Sequence, residues 1–208
     1  EQPFGDKKEL RKAQGYLAKL VWESIGEVVI KSREAMKWLQ AVARICTAAG
    51  VPIRWTTPTG FVALQDYRKP SDRRIKTHFN GTVIKYRSVE ETDQIDPNKQ
   101  ASALPPNIVH SLDASAMMRT IVAARAEGIR SFAMIHDSYG THAADTERFS
   151  QILRECFVGM YEERDFLEHF RDEIISQLPP EFVDKLPPLP AKGSLDLAEV
   201  LRSDYFFA

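Results

Sequence analysis

The stretch Ser131-Phe132-Ala133-Met134-Ile135-His136-Asp137-Ser138-Tyr139-Gly140-Thr141-His142 holds the carboxylate best placed to do chemistry, Asp137. The apolar run from Phe132 to Ile135 predicts a buried strand, His136-Asp137-Ser138 a turn, and Tyr139 to His142 a second extended piece. That pattern is a strand–turn–strand with a carboxylate at its tip. A hard divalent cation needs fixed oxygen ligands, and a strand end holds one rigidly. Asp and Ser are also ordinary turn formers, so by themselves these residues suit a plain hairpin better.

A second group is basic. Arg68, Lys69, Arg73, Arg74, Lys76, Lys85 and Arg87 lie between Gln65 and Arg87, opposed only by Asp66 and Asp72. Tyr67, His78, Phe79 and Tyr86 are interleaved, and Asn80-Gly81 is the strongest short hairpin turn signal. Charge binds phosphate and a two-stranded ribbon fits the major groove, so a nucleic-acid probe is one reading. A solvated hairpin whose Lys and Arg guard its edges is the other. A third group, His110, Asp113 and Met117, lies on one stripe of a helix; His110 taken alone is an ordinary structural histidine.

The elements that must position these groups follow from periodicity. Lys7 to about Ala49 is predicted helical, with Gly26 marking a bend or break and Gly50-Val51-Pro52 ending it. Ile53 to Thr57 and Phe61 to Leu64 predict a hairpin over Pro58-Thr59-Gly60. Glu90, Glu91, Asp93 and Asp96 read as an acidic connector, and Pro105-Pro106-Asn107 opens a helix that runs to Ala126. Asp145 reads as an N-cap, followed by two amphipathic helices ending at Pro179-Pro180. Ser194 caps a short last helix reaching Arg202.

The totals bound the class. With 208 residues, 43% hydrophobic and 27% charged, the chain is a globular one with enough apolar residues for a core. No apolar run is long enough to span a bilayer. Cys46 and Cys156 read as buried free thiols, and no Cys/His zinc spacing or Gly-rich phosphate loop is present. The net charge of −1 confines any nucleic-acid surface to a local patch. A helix beginning almost at the first residue suggests a piece of something larger, in which Leu17, Val21 and Trp38 face a missing partner.

Several stretches taken together resemble the C-terminal part of the phage-type single-subunit DNA-directed RNA polymerases. They are Tyr16-Leu17-Ala18-Lys19-Leu20-Val21-Trp22-Glu23-Ser24, Trp55-Thr56-Thr57-Pro58-Thr59-Gly60-Phe61, Pro106-Asn107-Ile108-Val109-His110-Ser111-Leu112-Asp113, Ile135-His136-Asp137-Ser138-Tyr139-Gly140-Thr141, Leu189-Pro190-Ala191-Lys192-Gly193 and the final Phe207-Ala208. They keep the family's order over nearly the whole chain.

The resemblance implies a helix-rich α+β fold, a fragment of a right-hand polymerase with a small antiparallel sheet and a long basic hairpin. Residues 1–50 would end the fingers. Residues 51–144 would hold the palm sheet, the promoter hairpin at about 65–88 and the metal hairpin at 131–142. Residues 145–208 would form the helical C-terminal part and the foot. It makes Asp137 the catalytic, Mg²⁺-binding aspartate, which bridges a pair of such ions in template-directed transfer from NTPs. His110 and His136 would contact primer and template, His110 from the minor groove. Arg74 and Lys76, with Ile84 and Tyr86 on the second limb, would face double-stranded promoter DNA. Apolar Ile84 departs from the polar residue expected there, so promoter preference should differ from that of relatives. Phe207 and Ala208 would pack near the active site.

The family's first catalytic aspartate lies upstream of this chain, so the implied partners include the N-terminal part of the polymerase as well as the template strand and nascent RNA. The segment would then be inactive alone. No membrane is implied, and the setting would be the cytoplasm of a phage-infected bacterium. Two alternatives stay open on sequence. One is a family A DNA polymerase palm, whose His-Asp pair is followed by Glu where this chain has Ser138. The other is a non-catalytic nucleic-acid-binding module.

Overall fold

A computed structural model describes residues 6–206. It is a helix-rich α+β structure with three separate two-stranded antiparallel sheets. The predicted opening helix is two: α1 (Lys7–Val28) and α2 (Ile30–Ala48). The break falls at Val29, with φ −108° and ψ 60°, just beyond Gly26. Arg33 lies across Gly26 so closely that a Cβ there would collide with its guanidinium.

The helices differ in what they bury. α1 has no buried residue, and Leu17, Leu20, Val21, Trp22 and Ile25 are exposed along it. Trp38 on α2 does not face solvent as expected. It is buried edge-on against Phe170, 6.0 Å between centroids, and its indole N–H donates to the Pro187 carbonyl at 3.1 Å. No local pattern could have found a partner so far along the chain.

β1 (Ile53–Thr56) pairs with β2 (Val62–Gln65). Its free edge is held by a helix, α5 (Phe166–Gln177). Glu173 accepts from the Thr56 N–H and hydroxyl at 2.9 and 2.5 Å, and Gln177 exchanges bonds with the Arg54 backbone. Ile53, Trp55, Phe170 and Ile174 join Val42 and Leu39 in the main core.

The long hairpin is β3 (Arg68–Phe79) and β4 (Thr82–Ile95). Its second limb takes in Glu90, Glu91 and Asp93, which the sequence had suggested as a connector. Glu90 and Glu91 pair with Ser71 and Pro70; the register then shifts between Arg68 and Pro70, and Asp93 lies in that irregularity, its carbonyl accepting from the Arg68 guanidinium at 2.6 Å. Asn80 and Gly81 both take positive φ at the tip, as that turn requires.

α3 (Pro97–Ala126) begins earlier than predicted. Asp96 caps it, accepting from Asn98 and Lys99 N–H groups at 3.0 Å, and Pro97 stands at the first turn, where a missing N–H costs nothing. Pro105 and Pro106 therefore lie inside the helix. Tertiary contacts outweigh the usual interior-proline penalty of about 3 kcal/mol. Gln100 is fully buried one turn earlier, where its amide and carbonyl exchange three hydrogen bonds of 2.6–3.0 Å with Gln65.

β5 (Ala133–Ile135) and β6 (Ser138–Gly140) follow, then α4 (Thr146–Glu163), α5 and the short α6 (Pro180–Val183). The first of these strands is not buried: Ala133 and Ile135 face out, while Phe132 and Met134 are half-buried. Asp145 makes no capping bond; it belongs to a 3-10 turn, Ala143–Asp145. The last turn, Leu197–Leu201, is also 3-10, and Asp196 rather than Ser194 caps it. Cys46 is buried, which pushes its thiol up to about 12, and Cys156 is only half-buried; both are free.

Candidate active site and nucleic-acid interface

Asp137 stands at the tip of the β5–β6 hairpin, the second of two turn residues. His136 before it adopts φ 54°, a left-handed conformation that His tolerates better than most residues. The tip is fixed from below. Met134 and Tyr139, paired across the hairpin, pack on a cluster of Ala124, Ile129, Phe149 and Ile152, and Phe132 meets Phe149 at 5.8 Å. Gly140 opposes Ala133 so closely that a Cβ would lie 3.1 Å from its carbonyl oxygen. A side chain there would be tight, and the Ala133 backbone would have to give by a few tenths of an ångström to admit it.

Asp137 and His136 face α3 across a cavity of about 700 Å³, whose far wall is His110, Asp113, Ala114 and Met117. The predicted groups Asp137, His136 and His110 therefore share one site. The structure adds Asp113, which sequence reasoning placed on the His110 stripe without assigning it a role. Burial pushes the Asp113 carboxyl up; His110 opposes this, and the negative charge of Asp137 adds to it. Tyr139 is likewise raised, by burial and then by the charges of Asp113 and Asp137. The cavity is thus lined by two carboxylates within electrostatic reach of each other. The signal for Asp113 was its position three residues after His110; its proximity to Asp137 is purely tertiary.

Among the described residues no group of three or more His, Cys, Asp or Glu forms a complete metal cage. The donor set still suits Mg²⁺, which is commonly held by one or two carboxylates together with substrate phosphates. Asp137 and Asp113 supply hard oxygens of that kind.

The second candidate surface is the β3–β4 hairpin. Directly opposed residues of an antiparallel pair share a face. Arg74 opposes Arg87 and Lys76 opposes Lys85, so these four basic residues lie on one face, with His78 and Asp72. Ile75 opposes Tyr86 and Thr77 opposes Ile84, so the other face carries these apolar and aromatic residues, with Arg73 and Ser88 as a pair nearer the root. The four residues picked from sequence are thereby separated: Arg74 and Lys76 on the basic face, Ile84 and Tyr86 on the opposite one. A one-residue offset in register has this effect because side chains alternate with period two. On the basic face Asp72 grips Arg87 with both carboxylate oxygens, which lowers Asp72 and raises Arg87.

The hairpin is rooted on α3. Asn107 donates to the Gln65 side chain at 2.8 Å and to the Tyr67 hydroxyl at 3.3 Å, and Lys99 lies 4.5 Å over the Tyr67 ring. Lys69, near the root, reaches Gln94. Ser111, next to His110, accepts from the Trp55 indole at 3.1 Å. One helix thus anchors both hairpins and one wall of the cavity. Phe207 and Ala208 lie outside the described residues.

Comparison with known proteins bears on this geometry. Residues 1–186 match the family model described as DNA-dependent RNA polymerase. The chain belongs to that family. It is 39% identical to T7 RNA polymerase of Escherichia phage T7 over 94% of its own length, and 41% identical over 97% to the mitochondrial DNA-directed RNA polymerase 1 of Nicotiana sylvestris. It is 40% identical over 98% to DNA-directed RNA polymerase 2A of Nicotiana tabacum. The chain spans 24%, 19% and 59% of these relatives' lengths, so it corresponds to a segment of such a nucleotidyltransferase. Relatives named for phages and for plant organelles share the segment. No helix among the described residues is long and apolar enough to cross a membrane.

Proposed function

We propose that this segment carries one metal-binding carboxylate, the pair-checking helix and the promoter hairpin of a DNA-directed RNA polymerase. The observation that carries the reading is the convergence of Asp137, at the tip of a fixed hairpin, with His110 and Asp113 across one cavity. Residues 1–50 end the fingers, 51–144 belong to the palm with its two hairpins, and 145–208 form the C-terminal part and foot. The exposed apolar face of α1 meets the N-terminal part of the polymerase, which also supplies the other catalytic aspartate.

In this reading Asp137 holds Mg²⁺, and Asp113 adds negative field that draws the cation in. When bound, Mg²⁺ lowers the pKa of the RNA 3′-hydroxyl and neutralises charge on the triphosphate. The chain's own residues do the positioning. His110, on the facing helix, lies against the newest base pair from the minor groove, where acceptors recur at similar places for every pair. His136 contacts the primer–template beside it. NTPs enter the same cavity.

The long hairpin enters the major groove of promoter DNA with its basic face. Arg74 and Lys76 read bases, and Lys85 and Arg87 replace Ile84 and Tyr86 as their partners on the second limb. This accounts for an apolar residue at position 84: it faces away from the bases.

The test uses the full-length polymerase loaded with Fe²⁺ in place of Mg²⁺ and supplied with ascorbate and peroxide. Hydroxyl radicals formed at the site should cut the backbone beside Asp137 and near Asp113. The cuts should disappear in Asp137→Asn. Cuts that persist unchanged in that variant, or an absence of cuts in the wild type, would refute the assignment.

A further inference from the structure

Among the described residues, Arg87 is the one cation of the hairpin's basic face whose side chain is held; Arg74, Lys76 and Lys85 have no hydrogen-bond or ion-pair partner there. Its holder, Asp72, lies diagonally across the ladder: Asp72 opposes Val89, while Arg87 opposes Arg74. One oxygen of the Asp72 carboxylate accepts from Nε of Arg87 at 2.7 Å, and the other accepts from Nη2. From there to the tip and back, no further acidic residue occurs before Glu90.

The pair stands in solvent, with the Arg87 side chain 68% exposed and that of Asp72 47% exposed. An exposed ion pair contributes little to stability, so holding the fold together is a poor account of it. Like charges directly opposed repel, and Asp72 does offset the charge of Arg87 beside Arg74. Offsetting charge needs no particular geometry, however, and the geometry is what is specific here. A guanidinium carries five N–H donors in a fixed plane. Nε and one Nη form its side edge, and the two Nη groups form its end edge. Asp72 occupies the side edge, so the end edge keeps two parallel N–H donors. Two parallel donors are what O6 and N7 of a guanine accept in the major groove. A long side chain also loses rotamer freedom when it binds, and Arg87 has already given up that freedom to Asp72.

We propose that Arg87 is a guanine-reading residue of the hairpin and Asp72 its positioning residue: Asp72 stays on the side edge of the guanidinium and presents the end edge to O6 and N7 of one guanine in duplex DNA. Arg87 thus adds a specificity-determining contact to those of Arg74 and Lys76. The inference rests on reading the basic face as the one that meets promoter DNA.

The experiment measures equilibrium binding of the full-length polymerase to promoter duplexes carrying every single-base change, at low and high salt. It compares wild type with Arg87→Ala, Arg87→Lys, Asp72→Asn and Arg74→Ala. Wild type should prefer guanine at one position by about 5- to 150-fold beyond what Arg87→Ala retains there, the range of one good bidentate contact. Arg87→Lys, which keeps the charge but not the fork, should lose most of that preference and keep the salt slope. Asp72→Asn, which breaks the charge-assisted grip, should reduce the preference about three-fold or more at that position and no other. Replacing that guanine by 7-deazaguanine, which lacks the N7 acceptor, should weaken binding by wild type and leave Arg87→Ala unaffected. Tighter binding of Asp72→Asn to every duplex alike, with a steeper salt slope, would mean that Asp72 only competes with DNA for Arg87, and would overturn the inference. An unchanged preference in Asp72→Asn, or a uniform loss of affinity across the panel in Arg87→Ala, would overturn it too. Arg74→Ala separates the two levels. If it shifts preference at a base pair while the Arg87 and Asp72 variants shift none, only this inference falls; if no variant shifts preference, the reading of the basic face falls first.

Discussion

The β5–β6 hairpin pairs three residues with three, while β3–β4 pairs strands of twelve and fourteen. The short one stands on its own apolar cluster, with Phe132, Met134 and Tyr139 packed beneath the tip. The long one buries almost nothing beyond its root, and along most of its length both faces are exposed. Its security comes instead from a buried amide network of Gln65, Gln100 and Asn107 at the base. The contrast fits the proposed roles. If Asp137 binds metal, it must be held within about 0.5 Å, which a packed support provides. If the long ribbon reads DNA, it needs reach and charge along its length and a fixed root.

That contrast can be broken most severely at Phe149, which is 4% exposed beneath the short hairpin. Phe149→Ala should destabilise the protein by about 3–5 kcal/mol, read as a fall in the denaturant midpoint. A cost below about 1 kcal/mol would mean the tip does not depend on that cluster.

Next in size is the root of the long hairpin. Gln100→Leu leaves the Gln65 carbonyl without its donor and removes one partner of the Gln65 amide. An orphaned buried polar group costs about 1–3 kcal/mol, so unfolding should shift by that amount. Hydrogen exchange at the root should speed up while exchange at the amides paired across the short hairpin stays unchanged. Equal loosening of both hairpins would erase the distinction between them.

On the long hairpin itself, stability and recognition should part. Arg74→Ala and Lys85→Ala should change stability by no more than about 0.5 kcal/mol, because both side chains are exposed. Each should still alter promoter preference at one or two base pairs, a good side-chain-to-base pairing being worth about 1–3 kcal/mol of discrimination. Ile84→Ala and Tyr86→Ala, on the other face, should leave preference intact. Lys69→Ala should weaken all promoters alike and lower the salt slope by roughly one unit. Initiation on a panel of single-base promoter variants at different salt concentrations separates these outcomes. Uniform losses from Arg74→Ala would make the basic face a phosphate clamp.

The smallest effect concerns Asp165, which caps α5 and pairs with Lys192 at 2.5 Å. Burial alone would raise the Asp165 carboxyl, but Lys192 and the backbone N–H groups of Glu168 and Leu167 outweigh it and hold the carboxyl low. A depressed carboxylate stabilises the fold fully above its ordinary value, and that contribution disappears as pH falls through the depressed one. Lys192→Ala should therefore flatten the acid limb of stability below the ordinary Asp range and leave neutral stability within about 1 kcal/mol of wild type.

What the sequence could say divides along the same physical line. Local patterns identified the Asn80-Gly81 turn, the Asp137 tip and the amphipathic helices, because period and turn chemistry are read over a few residues. Trp38 was misjudged because its partners, Phe170 and the Pro187 carbonyl, are brought to it only by the fold. Pro105-Pro106 looked like a helix start because interior prolines are costly, yet Asp96 caps the helix well upstream. The faces of the long hairpin follow from the Asn80-Gly81 turn, which sets Phe79 opposite Thr82 and so Arg74 opposite Arg87; placing Ile84 and Tyr86 with Arg74 and Lys76 rested on the resemblance and not on that register. Asp113 was visible on the His110 stripe, but not its nearness to Asp137.

The most direct test replaces Asp137 by Asn in the full-length polymerase and measures single-nucleotide addition and promoter affinity side by side. Loss of a metal ligand worth several kcal/mol should slow addition by roughly a thousand-fold while promoter binding stays near wild type. Addition at close to the wild-type rate, or a loss of promoter binding as large as the loss of rate, would contradict the assignment of Asp137 as the catalytic carboxylate.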